Sequence, residues 1–217
     1  MRLRLKTTDI QFSAMTSTLL AKRTQAVIRG AQGAIERRIE SLMRQRLSND
    51  PIIDELQNGV LALDFGLNPT VAAAAVSEMI EGMNQAVSVK ITRGRNGFAG
   101  IRIIVNPVGA IENIPAGSYD SNGHAIEWMN WLLNKGSEVV VNGFESIFSF
   151  NDASDPTSVS NAGESRSGLG FMVPTGGNFR VNPKFAGTSG DNFLTKIVVR
   201  SQLDIENIIR QEINKVL

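Results

Sequence analysis

The 217-residue sequence predicts an α+β fold, an antiparallel sheet of hairpins flanked by a long N-terminal helix and a C-terminal amphipathic helix. Three observations carry this. Apolar residues recur at three- and four-residue spacing at both ends of the chain, and β-branched residues alternate with period two in its middle. Strands gathered between helices also favour antiparallel pairing over the regular strand–helix alternation of a parallel sheet. The chain reads as a single domain over 1–217, with 1–48 as a basic helical arm and 151–168 as a long exposed loop.

Residues 16–48 read as one helix. Ile28, Ala31, Ile35, Ile39, Leu42 and Met43 form its apolar stripe, with arginines on the other faces. Gly30 and Gly33 weaken its middle by roughly 1 kcal/mol each relative to alanine. Pro51 ends or resets it, because the residue before a proline avoids helical geometry. A short helix follows at "PIIDELQNG". "NPTVAAAAVSEMIEGMNQAV" is another, with Asn68 as its cap and Pro69 in its first turn.

"VSVKITR" and "GIRIIVNPV", joined by "GRNGFAG", read as a hairpin. "GHAIEWMNWLLNKG" reads as a helix ended by Gly136. "EVVVNGFESIFSF" carries Asn142-Gly143 between two β-rich runs, which predicts a second hairpin. Residues 151–168 are almost all small or polar, too polar for a core. "LGFMV" and "NFRV" read as two short strands. The closing stretch reads as one amphipathic helix with Ile205, Ile208, Ile209, Ile213 and Val216 on one face.

Composition narrows the chemistry. With no cysteine, disulfides and thiolate metal sites are excluded, and one histidine cannot build a multi-histidine zinc site. His124 opens a helix in this reading, where a capping or exposed histidine is the commoner role. Ser165 and Ser167 lack a base nearby in sequence, and "SRSGLG" is not a nucleophile elbow. "GRNGFAG" leads into a strand rather than a helix, so it is a turn and not a phosphate loop. The residues therefore give no catalytic, cofactor or metal site. No apolar run is long enough to span a bilayer, so no membrane partner is expected. Charge is uneven. Residues 1–46 hold ten Lys/Arg against three Asp/Glu, and the rest hold twelve against eighteen. Such a split suits a basic element meeting an acidic surface, including one on another copy of the chain.

The stretch 124–150 holds both tryptophans and the histidine. Ile126, Met129 and Leu133 lie one helical turn apart, with Trp128, Trp131 and Leu132 on adjoining strips. Nucleic-acid stacking platforms interleave aromatics with Lys/Arg, whereas Lys135 is the stretch's one cation. The cluster reads as core, or as core plus subunit interface. Trp128 and Trp131, three positions apart, allow one ring to pack on the sheet while the other faces a neighbouring element.

The order "IEWMNWLLNKGSEVVVNGF", then "SRSGLGFM", then "NFRVNPKFAGTSGDNFLTK" and a terminal amphipathic helix resembles neck and tail-completion proteins of tailed bacteriophages. Trp128, Trp131, Gly136, Ser165, Arg166, Ser167, Gly168, Phe185, Ala186, Gly187, Asn192 and Phe193 carry the resemblance, which covers roughly 120–217. It implies a non-enzymatic virion protein, a tail terminator or head–tail connector component assembled in the host cytoplasm. It also implies a homo-oligomeric, hexameric ring with other neck, connector and tail tube or sheath proteins as partners, and passage of DNA through the lumen. Trp128, Trp131, Arg166, Phe185, Asn192 and Phe193 are the interface candidates that follow. The alternative from the residues alone is a nucleic-acid-binding protein using the basic N-terminal helix. Its arginines at 23, 29, 37, 38, 44 and 46 spread around the helix, which weakens that alternative. A small hydrolase, resting on the presence of Ser and His, ranks last.

Overall fold

The computed structural model describes residues 9–67, 69–93, 99–121, 124–147 and 171–217. Helix α1 spans Asp9–Ser48, α2 Pro51–Asn58, α3 Val60–Asp64 and α4 Pro69–Gly82. Strands β1 (Val87–Arg93) and β2 (Ala99–Val105) follow, then α5 (Pro107–Ile111) and a 3-10 turn at Pro115–Gly117. Next come β3 (Tyr119–Ser121), β4 (His124–Ile126), α6 (Trp128–Asn134), β5 (Val139–Ile147) and β6 (Phe171–Arg180). The chain closes with α7 (Phe193–Arg200) and α8 (Gln202–Asn214). The fold is α+β, and among the described residues the strands pair as antiparallel two-stranded ribbons, β1–β2, β3–β4 and β5–β6.

The chain divides into two compact units. Residues 1–41, 87–105 and 202–217 form the first, and 42–86 with 106–201 form the second. In the first unit, α1 buries the predicted stripe at Ile28, Ala31, Ile35 and Ile39. On β1 and β2 the register puts Val87, Val89, Ile91, Ile101, Ile103 and Val105 on one face. The backbone of β1 is held from the side by two residues one helical turn apart on α1. The Gln32 Nε2 donates to the Val89 carbonyl (2.8 Å), and the Val89 N–H donates to Glu36 Oε1 (3.3 Å). One outward N–H and one outward carbonyl of this edge strand, both of Val89, are thereby satisfied without another strand.

Helix α8 is tied to α1 by a buried carboxylate. Glu212, only 5% exposed, accepts from Lys215 Nζ at 2.6 Å and from Arg38 at 2.7 Å, and Arg38 also donates to Gln211. Those hydrogen bonds, from Lys215 first and then Arg38, hold the Glu212 carboxyl below its ordinary range. Its contribution to stability is therefore present at neutral pH and lost as pH falls through that lowered value. Near it, a side chain at Gly30 would come within 3.1 Å of Val216 Cγ1.

Several elements differ from the sequence reading. Helix α1 starts at Asp9, seven positions earlier than the predicted residue 16. Asn142-Gly143 is not a hairpin turn. Strand β5 runs through it, with the register breaking between Asn142 and Phe144. A glycine between β-rich runs also marks a bulge, and here the long-range partner β6 decides the outcome. The two short strands predicted at "LGFMV" and "NFRV" are that one continuous strand. His124–Ile126 pairs with Tyr119–Ser121, so the helix begins only at Trp128. The terminal helix breaks in two at buried Ser201, whose hydroxyl donates to the Ile197 carbonyl (2.8 Å) and competes with helix continuation. Asn68 and residues 151–168, including Ser165, Arg166 and Ser167, lie outside the described residues.

Candidate functional site

The second unit contains the segments on which the sequence reading turned. Helix α6 buries Trp128, Met129, Trp131, Leu132 and Leu133. Trp128 is fully buried against Phe65 (ring centroids 5.5 Å apart), and its Nε1 donates to the Ala116 carbonyl at 3.0 Å. Trp131, 9% exposed, packs on Phe179 of β6 at 6.1 Å. One ring thus meets a strand, and the other meets the turn after α3. Phe65 is positioned by its own backbone. Gly66, at φ +62°, ends α3 in the left-handed conformation, the Leu67 N–H reaches back to the Ala62 carbonyl, and Tyr119 Oη donates to the Phe65 carbonyl at 2.6 Å.

The C-terminal end of α6 is clamped by the segment 185–193. Gly136, at φ +59°, turns the chain out of the helix, and its N–H donates to the Gly187 carbonyl at 2.7 Å. The Gly187 N–H in turn donates to the Leu132 carbonyl at 2.9 Å. A Cβ at 187 would sit 2.4 Å from the Asn192 Cβ and 2.9 Å from its Cα, so glycine is required by space. Asn192, 1% exposed, is the centre of the clamp. Its Nδ2 donates to the Leu133 carbonyl (3.3 Å) and the Thr188 carbonyl (3.0 Å), and its Oδ1 accepts from the Thr195 N–H (3.0 Å). Thr195 Oγ1 returns the interaction at the Asn192 N–H (2.9 Å), completing a reciprocal cap on α7.

Of the interface candidates, Trp128, Trp131, Asn192 and Phe193 are buried in this unit and Phe185 is half-buried, while Arg166 lies outside the described residues. The structure brings Trp131, Asn192 and Phe193 into one unit through β6 and the clamp, which sequence spacing alone does not dictate. His124 sits on the β3–β4 ribbon. Among the described residues, no group of three His, Asp or Glu side chains is placed to hold a metal ion.

Three surface clefts were not read from the sequence. One of about 350 Å³ is lined by Arg46, Arg200, Gln45 and Asn49 over Leu42, Pro51 and Ile197. Two others, of about 420 and 440 Å³, share Asn113, Ile114 and Pro115. Glu78 and Glu81 line one, Glu112 and Glu127 line the other, and among the described residues no Lys or Arg lines either. The lone signal in the sequence was the acidic balance beyond residue 46.

The Asp64 carboxyl is pushed up to about 6, first by burial and then by the charge of Glu55. The folded state therefore holds this proton more tightly than the unfolded chain does. Stability rises as pH falls from about 6 toward 3.8, and above 6 the ionised carboxylate opposes folding. Asp64→Asn is expected to stabilise the protein at pH 7.5 by about 1 kcal/mol, allowing for solvent screening of a half-buried group, or about 2–4 °C in melting temperature. The variant should also lose the gain between pH 6 and 4. A lower melting temperature at pH 7.5 would contradict the burial argument.

Comparison of the chain with protein-family models, curated proteins and solved structures finds no match.

Proposed function

We propose that the chain is a virion structural protein of the tailed-bacteriophage neck, a subunit of a closed hexameric ring that completes or terminates the tail and joins it to the head. The observation that carries the reading is the clamp. The "EWMNWLLNKG" helix and the "FAGTSGDNF" segment, which bear the resemblance, form one hydrogen-bonded assembly through Gly136, Gly187 and Asn192. Backbone hydrogen bonds and the one buried Asn192 side chain tie the two segments together, which suits a structural rather than a catalytic part. In this reading the other neck and tail proteins contact the ring faces, DNA passes through its lumen, and no enzymatic step is required. Light scattering tests the proposal: a mass matching six 23.5 kDa chains is expected. A compact monomer at every concentration and salt would sink it.

A second reading, nucleic-acid binding by α1, is favoured by one observation. Lys22, Arg29 and Arg37 are all exposed and recur at helical spacing on the side of α1 opposite its core stripe. The scatter of arginines inferred from sequence is thus only partial, since Arg38 is engaged by Glu212. A monomer whose log DNA affinity falls linearly with the logarithm of salt concentration would support this reading over the ring.

A further inference from the structure

The charge split seen along the sequence persists between the two units. Among the described residues the first unit carries 10 Lys/Arg against 6 Asp/Glu, a net +4, and the second carries 7 against 12, a net −5. Within the first unit, Lys22, Arg23, Arg29 and Arg37 on α1, Lys90 on β1 and Arg102 on β2 are all exposed. Among the described residues none of these six makes an ion pair. Between positions 22 and 37, α1 therefore presents four exposed cations with no ion-pair partner among the described residues. Within the second unit, the two adjoining clefts present Glu78, Glu81, Glu112 and Glu127 around the half-exposed Ile114, and among the described residues no cation lines them.

We propose that the exposed basic face of α1 docks on the acidic face of the second unit in another copy of this chain, beside Glu81 and Glu127. The proposal rests on the ring reading and deepens it by naming the surfaces that meet. Each copy carries one basic and one acidic unit, so the contact joins unlike patches head to tail. That is the heterologous geometry from which a ring of more than two copies is built. Charge complementarity of this kind speeds encounter, fixes register and disfavours like-with-like pairing. Its strength falls as salt screens the exposed charges.

Charge reversal in the full-length protein is the experiment, with helical content checked by circular dichroism for each variant. Lys22→Glu with Arg29→Glu is one variant, and Glu81→Lys with Glu127→Lys is the other; all four side chains are exposed. Each variant alone should raise the apparent dissociation constant for self-association by about tenfold or more. An equimolar mixture of the two should recover association, because each supplies the surface that the other lacks. Wild-type association should also weaken between 50 mM and 500 mM salt. Wild-type protein that assembles but ignores both reversals and salt overturns this inference and leaves the ring reading standing. Wild-type protein that never assembles removes both. If the α1 variant loses affinity for a DNA duplex while self-association stays unchanged, the basic face serves nucleic acid and the inference is overturned.

Discussion

Trp128→Ala is expected to destabilise the protein by about 3–5 kcal/mol, a large part of the 5–15 kcal/mol typical of a folded domain. The indole is fully buried, packs with its ring centroid 5.5 Å from that of Phe65, and donates to the Ala116 carbonyl. Truncation removes that apolar contact, leaves a cavity, and strips Ala116 of its donor. Ala116 is also held through its N–H by Glu78 at 2.8 Å, so the 3-10 turn at Pro115–Gly117 loses one of two anchors. Thermal denaturation should show a drop of ten degrees or so. Trp131→Ala should cost less, since this ring keeps 9% exposure and its centroid lies 6.1 Å from that of Phe179. If Trp131→Ala melts like the wild type yet assembles poorly, that ring acts as an interface anchor instead. Wild-type melting for Trp128→Ala would contradict its placement in the core.

Asn192→Ala should cost about 2–4 kcal/mol, from two separable losses. The cap on α7 is worth about 1 kcal/mol. The carbonyls of Leu133 and Thr188 also lose their side-chain donor, at about 1–3 kcal/mol for a buried group left unpaired. Asn192→Asp separates the two, because it keeps the acceptor for the Thr195 N–H but removes the Nδ2 donor. An aspartate variant as stable as the wild type would show that the clamp on α6 contributes little. One as damaged as alanine would assign most of the cost to the clamp.

The apolar stripe of α1 was legible because Ile28, Ala31, Ile35 and Ile39 repeat at a period no other regular structure shares. The β1–β2 pairing was legible for a similar reason, from period-two alternation on both sides of a glycine-rich segment. Asn142-Gly143 misled because its local turn preference was overridden by pairing with a strand that begins at Phe171, a contact that no short window contains. Ser201 was invisible as a helix break, since a serine in an amphipathic pattern gives no sign that its hydroxyl will bond back to Ile197. Trp128 and Asn192 stood out in the sequence, but their roles depend on Phe65, Ala116 and Leu133, brought near only by folding. The acidic clefts were hidden because Glu78, Glu81, Glu112 and Glu127 are scattered over some fifty positions of sequence.

Negative-stain electron microscopy of the purified native particle at low salt is the most direct test of ring formation. Closed annular class averages of one size, with a central opening and six-fold repeat, are the predicted result. Head-to-tail contacts that fail to close would appear as open filaments of indefinite length. Filaments, or a field of compact particles of single-chain size, would contradict the closed ring.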